Sequence, residues 1–127
     1  MNGILIVDTS TWIDFFSGKT FFNLEHALKE GRVWVPPLVI AELLSGQLSP
    51  QERQNMTSFL EQLHLCVADF QHFARVGQLR STLIQKGMTI STPDAHVAQC
   101  ALDLGGYLMS SDKMFAKIAA AIRLELV

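Results

Sequence analysis

Gly3-Ile-Leu-Ile-Val7 runs straight into Asp8-Thr9-Ser10. An apolar stretch this short, opened by glycine and closed by an acid and two hydroxyl residues, reads as a buried strand feeding a helix. The same grammar recurs near the other end, where Tyr107-Leu-Met-Ser-Ser111 meets Asp112. Strands apolar on both faces belong to parallel sheets covered by helices on each side.

Working outward from these two stretches, short apolar runs alternate with longer amphipathic ones. Strands are predicted at Gly3–Val7, Arg32–Val35, His64–Val67, Tyr107–Met109 and Ile122–Val127. Helices are predicted over Thr9–Ser17, Phe21–Glu30, from Pro36-Pro37 to Gly46, from Ser49 to about Leu63, over Phe70–Lys86, from Thr92-Pro93 to Gly105-Gly106, and over Asp112–Ala120. Ser49-Pro-Gln-Glu52 has the capping-box pattern, and proline at a helix start removes an N–H that has no partner there anyway. On the long fifth helix, Phe70, Phe73, Ala74, Gly77, Leu83 and Ile84 form the expected packing side. Strands separated by helices pair in parallel through right-handed crossovers. The fold class is therefore a three-layer α/β/α sandwich with a central, mostly parallel sheet, as one domain over residues 1–127.

The bulk properties fit. The 127 residues are 49% apolar and 17% charged, with a net charge of -2. That is ample material for a core and the wrong charge for coating nucleic acid broadly. No stretch approaches the roughly 20 apolar residues of a membrane span, and no basic leader is evident, so a soluble cytoplasmic protein is expected. Cys66 and Cys100 lack a CxxC partner or metal-spaced histidines and read as reduced, buried thiols. The histidines His26, His64, His72 and His96 are scattered and read as surface or satisfied residues, with His96 turned away from Asp94 around its helix.

Four acids carry the chemical signal: Asp8, Glu42, Asp94 and Asp112. Asp8 and Asp112 end strands, where ligands collect in parallel sheets, though each also serves as a helix cap. Asp94 also suits the dipole of its helix start, but it lies in step with Val97, Ala98, Ala101 and Leu102, which face the core. Glu42 sits among Leu38, Val39 and Leu43, so it too is expected on a buried face. Buried carboxylates are costly without donors or a cation. An all-oxygen set with no His/Cys cluster selects Mg²⁺, with Mn²⁺ as a substitute, over zinc.

Taken together, Val7-Asp-Thr-Ser-Thr-Trp-Ile-Asp-Phe15, Ile40-Ala-Glu-Leu-Leu-Ser-Gly46, Thr92-Pro-Asp-Ala-His-Val-Ala98 and Leu108-Met-Ser-Ser-Asp-Lys-Met-Phe115 resemble, in order and spacing, the four acidic motifs of PIN-domain nucleases. The size resembles the VapC-type toxins of type II toxin–antitoxin pairs. The resemblance implies a Mg²⁺-dependent endoribonuclease, a homodimer, and a cognate antitoxin that blocks the active site. It assigns catalysis to Asp8, Glu42, Asp94 and Asp112, metal binding to Asp8, Asp94 and Asp112, and a hydroxyl role to Ser110. It also implies cleavage that leaves a 5′-phosphate and a 3′-hydroxyl. The family often has a further acid two residues after the last motif acid, where this chain has Met114; a second metal and the catalytic rate hang on that difference.

Lys113 and Lys117, four apart on one helix face, are candidate RNA-phosphate contacts; Arg75 and Arg80 are weaker ones. The aromatic run around Trp12, Phe15, Phe16, Phe21 and Phe22 exceeds what one side of a helix buries, which suggests core plus a groove for a partner helix or dimer mate. Two other functions are weaker. A phospho-accepting receiver domain needs paired acids after the first strand and a late strand-end lysine. A haloacid-dehalogenase-like phosphatase needs Asp-x-Asp, and position 10 is serine. A non-catalytic PIN-like binding module remains the main alternative.

Overall fold

The computed structural model describes residues 2–127. Its order is β1 (Leu5–Val7), α1 (Thr9–Phe16), α2 (Phe22–Lys29), β2 (Val33–Val35), α3 (Pro37–Leu44), α4 (Pro50–Glu61), β3 (His64–Leu65), α5 (Phe70–Gln85), α6 (Thr92–Leu104), β4 (Tyr107–Met109), α7 (Lys113–Ile122) and β5 (Glu125–Leu126). The sheet runs β3-β2-β1-β4-β5 with every pairing parallel. The chain leaves β1 in one direction for β2 and β3, then jumps back across it to β4. The topological switch point therefore falls between β1 and β4, where Ile6 pairs with Leu108 and Val7 with Met109. Right-handed crossovers place α1–α4 on one face and α5–α7 on the other, giving the expected three layers.

Each predicted element is present, and most are shorter than predicted. The edge strands β3 and β5 hold two residues each. Ile122 is helical, and Arg123 ends α7 in the left-handed region at φ 57. Helix α6 is capped by Ser91, not Thr92: the Ser91 hydroxyl accepts from the Asp94 N–H. The α4 capping box forms as read from the sequence. At Gly105-Gly106 two demands meet. Gly105 closes α6 at φ 60, and a Cβ on Gly106 would sit 2.7 Å from the Ile4 carbonyl oxygen, so glycine lets β4 enter beside β1.

The core centres on β1 and β4, with Leu5, Ile6, Val7 and Leu108 fully buried. Helix α6 covers both strands and is buried from Ala95 to Ala101. On the other face Trp12 is buried in an aromatic cluster, stacked on Phe16 at 5.6 Å and edge-on to Phe15 and Phe59, both at 5.7 Å.

Helix α5 is rotated from expectation. Its buried stripe is His72, Val76, Leu79 and Leu83, whereas Phe70, Phe73 and Ile84 are 82%, 41% and 56% exposed. Apolarity alone selected the wrong face because the anchor of the right one is a histidine. His72 is buried through hydrogen bonds that a sequence pattern does not display.

Candidate active site

Asp8 follows β1 and is 6% exposed. As N-cap of α1 it accepts from the Thr11 N–H at 2.9 Å, and the Ser10 and Ser110 hydroxyls donate to its other oxygen. Three donors thus meet a carboxylate that burial would otherwise penalise. Ser110 lies just past β4 and accepts from the Asp112 N–H at 3.0 Å, tying the two strand ends together. Asp112 caps α7 through the Met114 N–H and is exposed. Capping and clustering are therefore compatible roles here: in both acids one oxygen holds the helix start.

Asp94 sits on the rim, half-buried in the first turn of α6. Burial raises its pKa above the ordinary value; a hydrogen bond with the Ser91 hydroxyl opposes this, and the charges of Asp112, Glu42 and Asp8 raise it further. All three other acids are thus near enough to act on Asp94. Glu42 departs from expectation: it is exposed rather than on a buried face, and accepts from the Thr9 hydroxyl at 2.8 Å. Helix α3 is only eight residues long, and its buried residues are Val39 and Leu43 alone, leaving Glu42 at the edge beside α1.

The donor set is carboxylate and hydroxyl oxygen only, which suits a hard divalent cation. Among the described residues no three of these carboxylates approach one another within 4.8 Å. Met114, where the family often carries an acid, packs on the core and offers no ligand.

The sequence reading found no His/Cys cluster, and here the structure corrects it. Ligand atoms of His72, His96 and Cys100 lie within 4.8 Å of one another, all buried. Their lone pairs are already engaged. Helix α3 opens on Pro36-Pro37 and has no side-chain cap of its own; the Leu38 N–H donates to His96 Nε2 at 3.4 Å instead. That leaves the His96 proton on Nδ1, donating to His72 Nε2 at 2.7 Å, and the His72 Nδ1–H donating to Asp103 at 2.8 Å. Arg75 and Gln99 complete Asp103. His96 therefore faces protein, not solvent, and Arg75 is a structural partner. Arg80 is likewise held, by the Ile90 carbonyl. Cys66 and Cys100 are both free and buried, and a hydrogen bond between them together with burial keeps Cys100 protonated. Lys113 and Lys117 are exposed and in no ion pair among the described residues.

A parallel three-layer domain with an acidic cluster at the sheet's switch point is the class that fold and site define. The PIN domain family model matches residues 5–121, and the chain belongs to that family. Three solved structures with the same fold are similar along nearly the whole chain. DNA-bound VapBC from Salmonella typhimurium is 22% identical with a TM-score of 0.82, covering 98% of this chain and 97% of that one. VapBC2 from Rickettsia felis, bound to a promoter DNA fragment, is 23% identical with a TM-score of 0.81 over 98% and 97%. VapBC-5 of the toxin–antitoxin systems of Mycobacterium tuberculosis is 21% identical with a TM-score of 0.70 over 98% of both. A comparison with curated proteins finds no significant match. Among the described residues no helix is long and apolar enough to cross a membrane.

Proposed function

We propose that this protein is the toxin of a type II toxin–antitoxin pair, acting in the cytoplasm as a Mg²⁺-dependent endoribonuclease. The observation that carries the reading is the meeting of Asp8 and Asp112 through Ser110 at the ends of β1 and β4, with Asp94 near enough that burial first, and then the charges of Asp112, Glu42 and Asp8, oppose its ionisation. Such repulsion at the carboxyl ends of parallel strands is what a cation site requires. Asp8, Asp94 and Asp112 would hold the metal, with Glu42 completing the acidic cluster beside them. The chemistry that such a cation would supply is charge neutralisation at the scissile phosphate and activation of water at neutral pH. The chain's own residues do the positioning. Ser110 and the Thr11 N–H fix both oxygens of Asp8, the Met114 N–H fixes one oxygen of Asp112, and the Thr9 hydroxyl orients Glu42. No histidine pair faces this cluster, in keeping with a route that does not use the RNA 2′-hydroxyl as nucleophile.

Two surfaces suit the partners. A groove of about 590 Å³ between α1, α3 and α4 is lined by Ile13, Phe16, Leu43, Met56 and Phe59 and reaches Glu42. An apolar antitoxin helix seated there would cover the acids. The outward stripe of α5, Phe70, Phe73 and Ile84, suits a second copy of the chain.

The test is cleavage of single-stranded RNA by the purified chain in Mg²⁺, with and without chelator. Cleavage that chelator stops and Mg²⁺ restores supports the nuclease. Binding to the antitoxin with no cleavage under any metal supports the binding module, with Met114 as the mark of lost catalysis.

A further inference from the structure

A second cavity opens beside the acids, on the side away from the α1–α3–α4 groove. It measures about 280 Å³, and its lining includes Thr11, Phe21, Phe22, Asn23, Ser110 and Ser111. Ser110 also donates to Asp8, so the cavity and the acidic cluster share a wall. Its chemistry is unlike the apolar groove. The Thr11 hydroxyl is buried and has no hydrogen-bond partner, while Thr11 itself is only 2% exposed. That oxygen is sealed from solvent, so it makes the cavity wall polar without being a contact point. At the mouth, Phe22 is 78% exposed, a large apolar ring open to solvent. Its ring is held parallel to His26, with centroids 6.0 Å apart and planes 5° from parallel. The neighbouring Asn23 amide is exposed and carries a donor and an acceptor. The Lys19 ammonium lies 5.6 Å from the Phe21 ring, adding a cation at the same edge.

We propose that this cavity is a nucleobase subsite, which takes one unstacked base of single-stranded RNA next to the scissile phosphate. Stacking on an exposed aromatic ring and hydrogen bonding to the base edge are how proteins read single-stranded RNA. Phe22 supplies the stacking face, Asn23 reads the edge, and Lys19 meets the backbone. A flanking nucleotide is the occupant because the cavity joins the acids through Ser110, which bonds both Asp8 and Asp112; a partner helix has the larger apolar groove at Glu42. The inference rests on the nuclease reading for the phosphate's position, and its test separates the two.

The experiment uses the full chain carrying Asp94→Asn, which binds without cutting, and short single-stranded RNAs bearing a fluorescent adenine analogue at successive positions. One position is expected to show stacking quench. Phe22→Ala should weaken binding about 5- to 100-fold and abolish that quench, while Phe22→Trp restores both. Asn23→Ala should alter which base is preferred there. Phe22 is exposed, so folding is preserved in both variants, checked by circular dichroism. Unchanged affinity and quench in Phe22→Ala overturn the subsite, as does Phe22→Ala leaving RNA binding intact while releasing the antitoxin. In an otherwise unaltered chain, chelator-sensitive cleavage with the same base preference after Phe22→Ala removes the subsite and leaves the nuclease standing. Quenched, Phe22-dependent binding without any cleavage does the reverse.

Discussion

Two aspartates on one helix, nine positions apart, live under opposite electrostatics. Asp94, at the start of α6, is raised by burial and by three neighbouring acids. For Asp103, near its end, burial alone would raise the pKa, but hydrogen bonds from Arg75, Gln99 and His72 outweigh burial and hold it at about 2. At the rim, charge is left unbalanced; in the α3–α5–α6 seam each polar atom of the chain from Leu38 to Arg75 has its partner. The first arrangement leaves charge that a bound cation would balance, and the second needs nothing further. The contrast separates a rim whose charge suits chemistry from a seam that serves the fold.

The largest effect should come from Asp94→Asn. RNA cleavage should fall about 10²–10³-fold or more, since a metal-borne charge interaction is lost. Because the substitution relieves repulsion, stability should hold or rise, by no more than about 0.5 kcal/mol after solvent screening. Thermal melting with and without Mn²⁺ gives a second reading. The parent should melt higher as Mn²⁺ is added, and the variant should not respond. Full activity in saturating Mn²⁺ would erase the distinction between the two aspartates.

Asp103→Ala should do the opposite. It strands the buried His72 N–H and releases Arg75, costing about 2–3 kcal/mol, read as a lower urea midpoint. Cleavage per folded molecule should survive. A stability loss under 0.5 kcal/mol would mean that the seam holds nothing.

Acid titration sharpens the same contrast. Asp103 binds its proton less tightly folded than unfolded, so its contribution is whole above pH about 4 and is lost as pH falls toward 2. Asp94 has the reverse sign, and its folded form favours the proton. The parent should therefore lose stability steeply over pH 4 to 2, with a shallower limb in Asp103→Asn. Parallel limbs in the two proteins would refute the assignment.

The rim was legible in the sequence and the seam was not, for a physical reason. Strand-end acids announce themselves locally, since an apolar run stops, a hydroxyl follows and a helix begins, as at Val7-Asp8-Thr9 and Ser110-Ser111-Asp112. Glycine punctuation at Gly105-Gly106 worked for the same reason. The seam joins Leu38 to His96 and His72 to Asp103, partners 58 and 31 residues apart, and no local pattern encodes that. Reading His72 as polar put Phe70 and Phe73 inside and turned α5 around. Counting His72 with Val76, Leu79 and Leu83, at spacings of four, three and four, would have found the right stripe. Glu42 failed differently, because neighbouring leucines on a helix this short did not mean burial.

The smallest effect concerns cations, and it divides along the same line. Arg75 and Arg80 are spent on Asp103 and on the Ile90 carbonyl, whereas Lys113 and Lys117 stand exposed beside Asp112. Lys113 occupies the first position of α7, where the helix dipole disfavours a positive charge, so local stability does not explain it. An RNA phosphate held near Asp112 would. Replacing both lysines with alanine should weaken RNA binding only a few-fold at moderate salt. The informative quantity is the salt slope, which should shallow by about 0.7 for each phosphate contact removed from a single strand. Arg80→Ala, at a cation already engaged by a carbonyl, is the control and should leave the slope alone. An unchanged slope in the lysine pair would return both residues to the solvated surface, and the rim would then hold its substrate through the metal and the acids alone.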